Sequence, residues 1–234
     1  MVNFKSYASS SKGNLYTVDD GTTRLMIECG LPFTKTKEAL DFQVSSIDGV
    51  LISHCHADHS RAAKDLAKAG LDIYTSKGTI EALGLSGHRI HAIPAHQQFS
   101  LGTWQILSFD TIHDAPEPLS FLLANAMRER LLYVTDSCYL KYRFKNLSVI
   151  AIECNHSAAA LKENVAAGIV PRAVRSRIIQ SHFSIENVKQ FLRVTDLSKL
   201  QEVHLLHLSD SNANAQQFKR EIQALCGKEV YIAG

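Results

Sequence analysis

The sequence has little of what secreted and membrane proteins need. It holds five cysteines, an odd number that includes no CxxC pair, which argues against a disulfide framework. No basic N-terminal segment precedes an apolar region, and no apolar run approaches the roughly 18 residues that span a bilayer. We therefore expect a cytoplasmic protein with reduced thiols, without a signal peptide and without a membrane partner.

The chain also lacks an excess of either charge. Lysines and arginines number 25 against 23 aspartates and glutamates, so the formal net charge is only +2. This value gives no global attraction to nucleic acid, although local patches can hold phosphate. Two basic segments are candidates for substrate binding, or alternatively for solvated surface. Their residues are Lys141, Tyr142, Arg143, Arg175 and Arg177, and the first segment interleaves charges with aromatic rings that can stack on bases.

The chain also lacks a low-complexity linker, and its 234 residues fit one domain, 1–234. Strand patterns alternate with helix patterns, so we predict an α/β (α+β) fold with its chemistry on loops at strand ends. The predicted strands are 15–18, 24–28, 72–75, 90–93, 104–109, 119–124, 131–134, 149–153 and 203–206. The predicted helices are 61–69, 77–83 with Ser76 as N-cap, 158–166 and 185–192, and 9–14 is predicted to be a loop.

The most informative segment follows the apolar run 49–52. It reads Ser53-His54-Cys55-His56-Ala57-Asp58-His59-Ser60. Alternation along an extended backbone places His54 and His56 on one side, and we expect Asp58 and His59 on the turn that follows. Four ligands so close together suit two metals better than one, and imidazole with carboxylate selects zinc, iron, manganese or a similar ion. The alternative is a set of surface histidines in a polar turn.

Completing two metal sites requires further ligands, and residues at strand ends are placed to supply them. Three candidates qualify: His113, Asp136 and His207. Each follows a predicted strand, and the carboxylate of Asp136 offers two oxygens with which to bridge a metal pair.

These residues resemble those of metallo-β-lactamase-fold hydrolases over nearly the whole chain. The HxHxDH pattern matches at His54, His56, Asp58 and His59, and the later ligands match in the expected order. The resemblance implies a four-layered αββα sandwich. It also implies one metal on His54, His56 and His113, a second on Asp58, His59 and His207, and Asp136 between them.

Within this family the sequence resembles the YycJ-like (WalJ-like) branch, which is related to ribonuclease Z. The matching segments are 9–14 (SSSKGN), 113–115 (HDA), 153–156 (ECNH), His182 and 207–209 (HLS). The resemblance makes Glu153 and His182 candidates for catalytic proton transfer, or alternatively a buried polar pair that orients loops. Glu28, where an aspartate is usual, is expected to orient a ligand histidine, and His156 is a further candidate near the ligands.

The same resemblance narrows the function. Asp136 and His207 are too close in sequence for the β-CASP insertion of some nucleic-acid-processing relatives. We expect a hydrolase of phosphodiester bonds, most readily a nuclease or exonuclease, that uses a hydroxide bridging two divalent ions, zinc or manganese. In this mechanism Asp58 holds or accepts a proton and His182 assists the leaving group.

Several alternatives stay open at this point. The same chemistry suits a phosphodiesterase for a cyclic nucleotide or small dinucleotide, and the fold also suits a thioester, lactone or β-lactam hydrolase or a non-catalytic metal-binding protein. The expected partner is therefore a nucleic acid or a nucleotide. The sequence does not determine the oligomeric state, and a homodimer is one of the alternatives.

Overall fold

A computed structural model describes the whole chain, residues 1–234. The backbone forms two units, and each is described by itself. The first contains Met1–Asp110, Ala115–Arg130 and Gly234, and the second contains Thr111–Asp114 and Leu131–Ala233. The expectation of a single domain without a β-CASP insertion stays a prediction. None of the eight helices combines the length and the apolar character that crossing a bilayer requires.

The first unit contains a six-stranded sheet with the strand order β1-β2-β3-β4-β5-β6. Its strands are β1 (Asn3–Ser10), β2 (Gly13–Asp19), β3 (Arg24–Ile27), β4 (Gly49–Leu51), β5 (Ile73–Thr75) and β6 (Ile90–Ala92). The first three strands pair antiparallel, whereas β3 to β6 pair parallel. The strands β3 to β5 are apolar and almost wholly buried, as parallel strands covered on both faces usually are.

The predicted loop at 9–14 is wrong. β1 continues to Ser10 and β2 begins at Gly13, so most of the segment belongs to a tight hairpin. The composition suggested a loop, but the polar groups are satisfied inside the hairpin. The hydroxyls of Ser9 and Tyr16 are hydrogen-bonded at 2.6 Å, and the side-chain amide of Asn14 donates to the Ser10 carbonyl at 3.1 Å.

Four short helices connect the strands of the first unit. They are α1 (Phe33–Ala39), α2 (Ala57–Ser60), α3 (Ala63–Lys68) and α4 (Lys77–Leu83). The prediction for α4 is confirmed, because the Ser76 hydroxyl accepts from the Thr79 amide at 3.1 Å. The predicted helix 61–69 is wrong at its start. The Ala62 amide donates to the Cys29 carbonyl at 2.9 Å rather than to a preceding turn, which separates α2 from α3.

A second group of strands in the first unit is antiparallel throughout. It comprises β7 (Gln98–Leu101), β8 (Trp104–Asp110) and β9 (Leu119–Ala124). Trp104 is fully buried, and its indole N–H donates to the Thr23 carbonyl at 3.0 Å. β8 and β9 lie where the sequence predicts them, to within one residue, whereas the short, half-polar β7 was not predicted.

The second unit is built on four parallel strands. They are β10 (Arg130–Val134, whose first residue belongs to the other unit), β11 (Val149–Glu153), β12 (Glu202–Leu206) and β13 (Glu229–Ile232). Val134 pairs with Ile152, and Glu153 pairs with Leu206, so the strands end together. Residues that follow these strands therefore collect at one edge, where parallel sheets usually carry their functional groups.

Four helices complete the second unit: α5 (Ala158–Ala166), α6 (Arg172–Ser181), α7 (Ile185–Arg193) and α8 (Ala215–Cys226). α5 and α7 match their predicted positions, with Ser157 and Ser184 as N-caps. Three elements of this unit, α6, α8 and β13, were not predicted from the sequence. α6 follows Pro171 and is strongly polar, so its arginines were interpreted as a basic patch rather than as part of a helix.

We expect Ser76→Ala to lower the free energy of unfolding by about 1 kcal/mol, because it removes the N-cap of α4. Urea denaturation of the metal-free protein would measure the change. Ser11→Ala, at an exposed turn position, is the matched control and should have no effect. Equal midpoints for both variants would contradict the capping role.

Candidate active site

The first unit gathers the donors of the HxHxDH motif just beyond β4. The Nε2 atom of His54 lies 3.0 Å from the Nδ1 atom of His56, so both rings lie on one side, as alternation predicts. The expectation that Asp58 and His59 occupy a turn is wrong, because both lie on the short helix α2. This helix is fixed by Ser60, whose hydroxyl donates to the His56 carbonyl at 2.9 Å.

His59 is the most enclosed donor of this set. It is fully buried, its Nε2 atom lies 3.4 Å from the Asp58 carboxylate, and its ring centroid lies 4.2 Å from that of His54. The side-chain amide of Asn14 lies 3.2 Å from the same Nε2 atom and donates to the Asp58 carbonyl at 3.1 Å. The hairpin therefore holds both the imidazole and the backbone beside it.

Glu28 lies behind His59. Its carboxylate is fully buried, and its Oε2 atom lies 3.5 Å from the Nδ1 atom of His59 and accepts from the Ser53 amide at 3.3 Å. Its backbone adopts a left-handed φ of 63°, a conformation that costs a non-glycine residue about 1 kcal/mol. A carboxylate in this position fixes the orientation of an imidazole. The orienting role of Glu28 stays a prediction.

The second unit gathers a separate set of donors at the ends of β10, β11 and β12. Asp136 and His207 follow their strands with left-handed φ values of 43° and 51°, and both are buried. The Asp136 carboxylate lies 3.4 Å from the Nε2 atom of His113 and 3.5 Å from the Nδ1 atom of His207. The other ring nitrogen of His113 lies 3.1 Å from the Ser181 carbonyl, at the end of α6.

Glu153 and His182 form a close pair in this set. The Oε1 atom of Glu153 lies 2.6 Å from the Nδ1 atom of His182 and 3.2 Å from the Nδ1 atom of His207. Its Oε2 atom accepts from the amides of Ser137 and Phe183, at 3.2 and 3.1 Å. Every polar atom of this fully buried carboxylate is thereby satisfied, which is what a buried charge requires.

Opposed effects set the protonation of this pair. Burial alone disfavours the charged forms, but the charge of His182 and its hydrogen bond lower the pKa of Glu153. In the same way the Glu153 carboxylate overcomes burial and raises the pKa of His182. Burial lowers the pKa of His113, which favours the neutral imidazole. His182 is therefore suited to carry a proton, and His113 is suited to coordinate a metal.

The donor atoms fit divalent metal ions. Two ligands at 2.0 to 2.1 Å from one tetrahedral ion lie about 3.3 Å apart, and the pairs His54–His56, Asp58–His59 and His113–Asp136 are separated by 3.0, 3.4 and 3.4 Å. Asp136, Glu153, His182 and His207 also offer atoms within 4.8 Å of one another. Such a mixture of imidazole and carboxylate binds zinc and manganese well.

The other predicted residues lie in different surroundings. The backbone of His156 forms an isolated β-bridge with Ser184 at the start of α7. Burial lowers the pKa of its imidazole, and its Nδ1 atom is buried without a hydrogen-bond partner. Arg177 donates to the Asp114 carboxylate at 3.0 Å, and Arg143 donates to the Val194 carbonyl at 3.4 Å. Arg175 is exposed on α6.

The aromatic basic segment has no regular secondary structure. The Lys141 ammonium lies 5.1 Å from the centre of the Tyr142 ring, and the rings of Tyr142 and Phe144 meet edge to face at 6.5 Å. These residues contact one another in the second unit, and their predicted role in substrate binding stays a prediction.

Two residues at the site were not predicted as functional. Asn14 contacts the His59 ring and the Asp58 backbone, and the Ser181 carbonyl lies within hydrogen-bonding distance of the His113 Nδ1 atom. The signal for Asn14 was available, because it closes the SSSKGN segment that carries the family resemblance. Ser181 acts through its backbone, so no side-chain pattern reports it.

A family model matches most of the chain. The family model described as "Beta-lactamase superfamily domain" matches residues 23–205. This span covers most of the chain and includes the motif at 54–59 together with His113 and Asp136.

Two curated relatives support the branch. The chain is 28% identical over 230 residues to exodeoxyribonuclease YycJ of Bacillus anthracis. The matched region covers 90% of this chain and 84% of the relative. It is 26% identical over 220 residues to exodeoxyribonuclease WalJ of Streptococcus pneumoniae. This matched region covers 88% of this chain and 81% of the relative. The resemblance to the YycJ-like branch is confirmed.

A solved structure shows the same fold. The metallo-beta-lactamase fold protein YhfI from Bacillus subtilis superimposes with a TM-score of 0.75 over 98% of this chain and 95% of its own, at 19% identity. With its strands in two sheets and its helices interspersed, the chain confirms the predicted α/β metallo-β-lactamase fold.

Metal binding should stabilise the protein. At a free metal concentration about 100-fold above Kd, manganese or zinc should raise the Tm of metal-stripped protein by about 5 to 10 °C. Asp136→Ala should shrink this shift, whereas Asp65→Ala, which removes an exposed carboxylate on α3, should leave it unchanged. Scanning calorimetry would measure it, and an undiminished shift in Asp136→Ala would argue against Asp136 as a ligand.

Proposed function

The chain belongs to the beta-lactamase superfamily, and we propose that it is a metal-dependent nuclease that removes nucleotides from DNA. The observation that carries this proposal is the Glu153–His182 pair, held at 2.6 Å beside Asp136 and His207. A paired imidazole at this position is suited to protonate the leaving oxygen of a phosphodiester. The names of the two curated relatives, both exodeoxyribonucleases, support DNA as the substrate.

The proposed metal ligands are the seven residues of the family pattern. The family resemblance implies His54, His56 and His113 on one ion and Asp58, His59 and His207 on a second, with Asp136 between them. Two bound divalent ions, zinc or manganese, would supply a nucleophilic water near neutral pH and stabilise charge on the phosphoryl oxygens. The donor geometry within each unit supports this assignment.

Two side chains are proposed to move protons during the reaction. The Asp58 carboxylate is 21% exposed, so it can accept the proton of the attacking water. His182 is 19% exposed while Glu153 is fully buried, so the imidazole can reach a substrate and the carboxylate cannot. Glu153 is therefore a positioning residue, which orients His182 and maintains its charge.

A change of leaving group tests the role of His182. We expect His182→Ala to lower kcat on DNA by about 10² to 10⁴, because the deoxyribose oxygen must be protonated as it leaves. Turnover of a p-nitrophenyl phosphodiester should fall much less, since p-nitrophenolate leaves without a proton. Glu153→Gln should show the same contrast. His96→Ala, an exposed histidine paired with Asp110, is the control.

Equal losses on both substrates would contradict a role in leaving-group protonation. The substrate itself is tested by supplying metal-loaded protein with labelled single- and double-stranded DNA, RNA and a panel of cyclic nucleotides. Release of nucleotides from DNA is the expected result. Conversion of cyclic nucleotides alone would replace the nuclease assignment with that of a small-nucleotide phosphodiesterase.

A further inference from the structure

Helix α6 leads directly into the candidate active site. Its last carbonyl, that of Ser181, lies 3.1 Å from the Nδ1 atom of His113. The next residue is His182, which pairs with Glu153. The amide of His182 still donates to the Ile178 carbonyl at 3.0 Å, so the helical path continues to this imidazole. The C-terminal end of α6 is therefore fixed at the site.

The rest of α6 contributes almost nothing to a core. Eight of its ten residues are exposed, Val174 and Ile179 among them, and only Ser181 is buried. A helix of this length is marginally stable in water unless packing supports it. Burial of apolar surface therefore does not explain why the chain forms a helix here.

The exposed surface of α6 is basic and lacks compensating acids. The segment 164–185 includes no aspartate or glutamate. Arg177 donates to the Asp114 carboxylate at 3.0 Å, so its charge is compensated. Arg172 and Arg175 are exposed, and their side chains form no ion pair and no hydrogen bond. Because residues three apart are neighbours on a helix, these two cations form one positive patch, which we call the α6 arginine patch.

Helical periodicity aligns this patch with the proposed proton donor. Arg175 and His182 are seven residues apart, which is about two turns, so they share one face of the helical path. At a rise of 1.5 Å per residue they are separated by about 10 Å along the axis, and Arg172 lies about 5 Å farther away. Successive phosphates of one strand advance by about 3.4 Å in a duplex, which places the patch roughly three to four nucleotides from a phosphate held at His182.

We propose that the α6 arginine patch holds the sugar–phosphate backbone of the DNA strand whose scissile phosphodiester lies at His182. This inference rests on the proposed function and identifies the residues that bind a polymer rather than a small nucleotide. Guanidinium groups form charge-assisted hydrogen bonds with phosphate, and such contacts do not read base sequence. Arg175 was predicted to bind substrate, Arg172 is added to it, and Arg177 is left to its ion pair with Asp114.

Binding of a labelled strand tests the patch. The probe is a fluorescent phosphorothioate oligothymidylate, whose linkages keep their charge and resist cleavage by the metal-loaded protein. We expect Arg172→Gln/Arg175→Gln to weaken binding of a probe of about 20 nucleotides by about tenfold in fluorescence anisotropy. Loss of two phosphate contacts should also reduce the slope of log Kd against log salt by about 1.4. Arg172→Lys/Arg175→Lys keeps both charges and should retain most of the affinity.

Arg193→Gln/Lys199→Gln is the matched control, because it removes the same charge from two exposed residues. Arg193 ends α7, and Lys199 precedes β12, whereas the candidate site follows that strand. The control should leave the affinity and the salt slope unchanged. Equal weakening by the control would show a general effect of net charge and would overturn the proposal. So would a loss of affinity in the lysine variant as large as that in the glutamine variant.

Substrate length provides a test by turnover. We compare kcat/KM for a strand of about 20 nucleotides with kcat/KM for a dinucleotide, which is too short to reach Arg175. The ratio of the two should fall about tenfold in Arg172→Gln/Arg175→Gln and stay at the wild-type value in the control. An unchanged ratio would overturn the proposal. A changed oligomeric state in sedimentation, with unaltered DNA binding, would instead assign this face to a second copy of the chain.

The two proposals fail differently. If the nuclease proposal is wrong, neither substrate is cleaved, while the anisotropy assay still shows whether the arginines hold a strand. If the α6 arginine patch is wrong, the wild type cleaves DNA and the glutamine variant binds and cleaves it equally well.

Discussion

Burial of carboxylates is the constraint on which the site depends. Glu28 and Glu153 are fully buried and Asp136 is nearly so, and a buried charge is tolerated only when it is paired and hydrogen-bonded. Backbone amides and imidazoles supply that compensation, so each carboxylate fixes the groups around it. Three strained backbones accompany this arrangement, at Glu28, Asp136 and His207, each with a left-handed φ. At each of these three positions the strained residue aims its side chain from just beyond a strand end.

The parallel strands bring the residues of the site together. Because β10, β11 and β12 end in register, the residues that follow them meet without long loops. The same logic places His54 directly beyond β4 in the first unit. Rigid strands thus position the donors before any ligand binds, which lowers the energetic cost of ordering them.

Much of the fold could be predicted from sequence, because buried parallel strands such as 149–153 are apolar without interruption and are bounded by polar residues. Polar elements escaped prediction. β1 ends in serines that bond within the hairpin, and α6 lacks a clear apolar stripe. At the site, motif spacing identified residues that follow strands, but it did not identify Asn14, which reaches His59 from the hairpin.

We propose that this chain binds two divalent ions through the seven residues of the family pattern. Metal content per chain, measured by inductively coupled plasma mass spectrometry on protein whose DNA turnover is assayed in the same sample, tests it most directly. The account predicts about two ions per active chain and loss of both metal and turnover on chelation, with recovery when manganese or zinc is restored. Full DNA turnover by protein that holds no metal would contradict it.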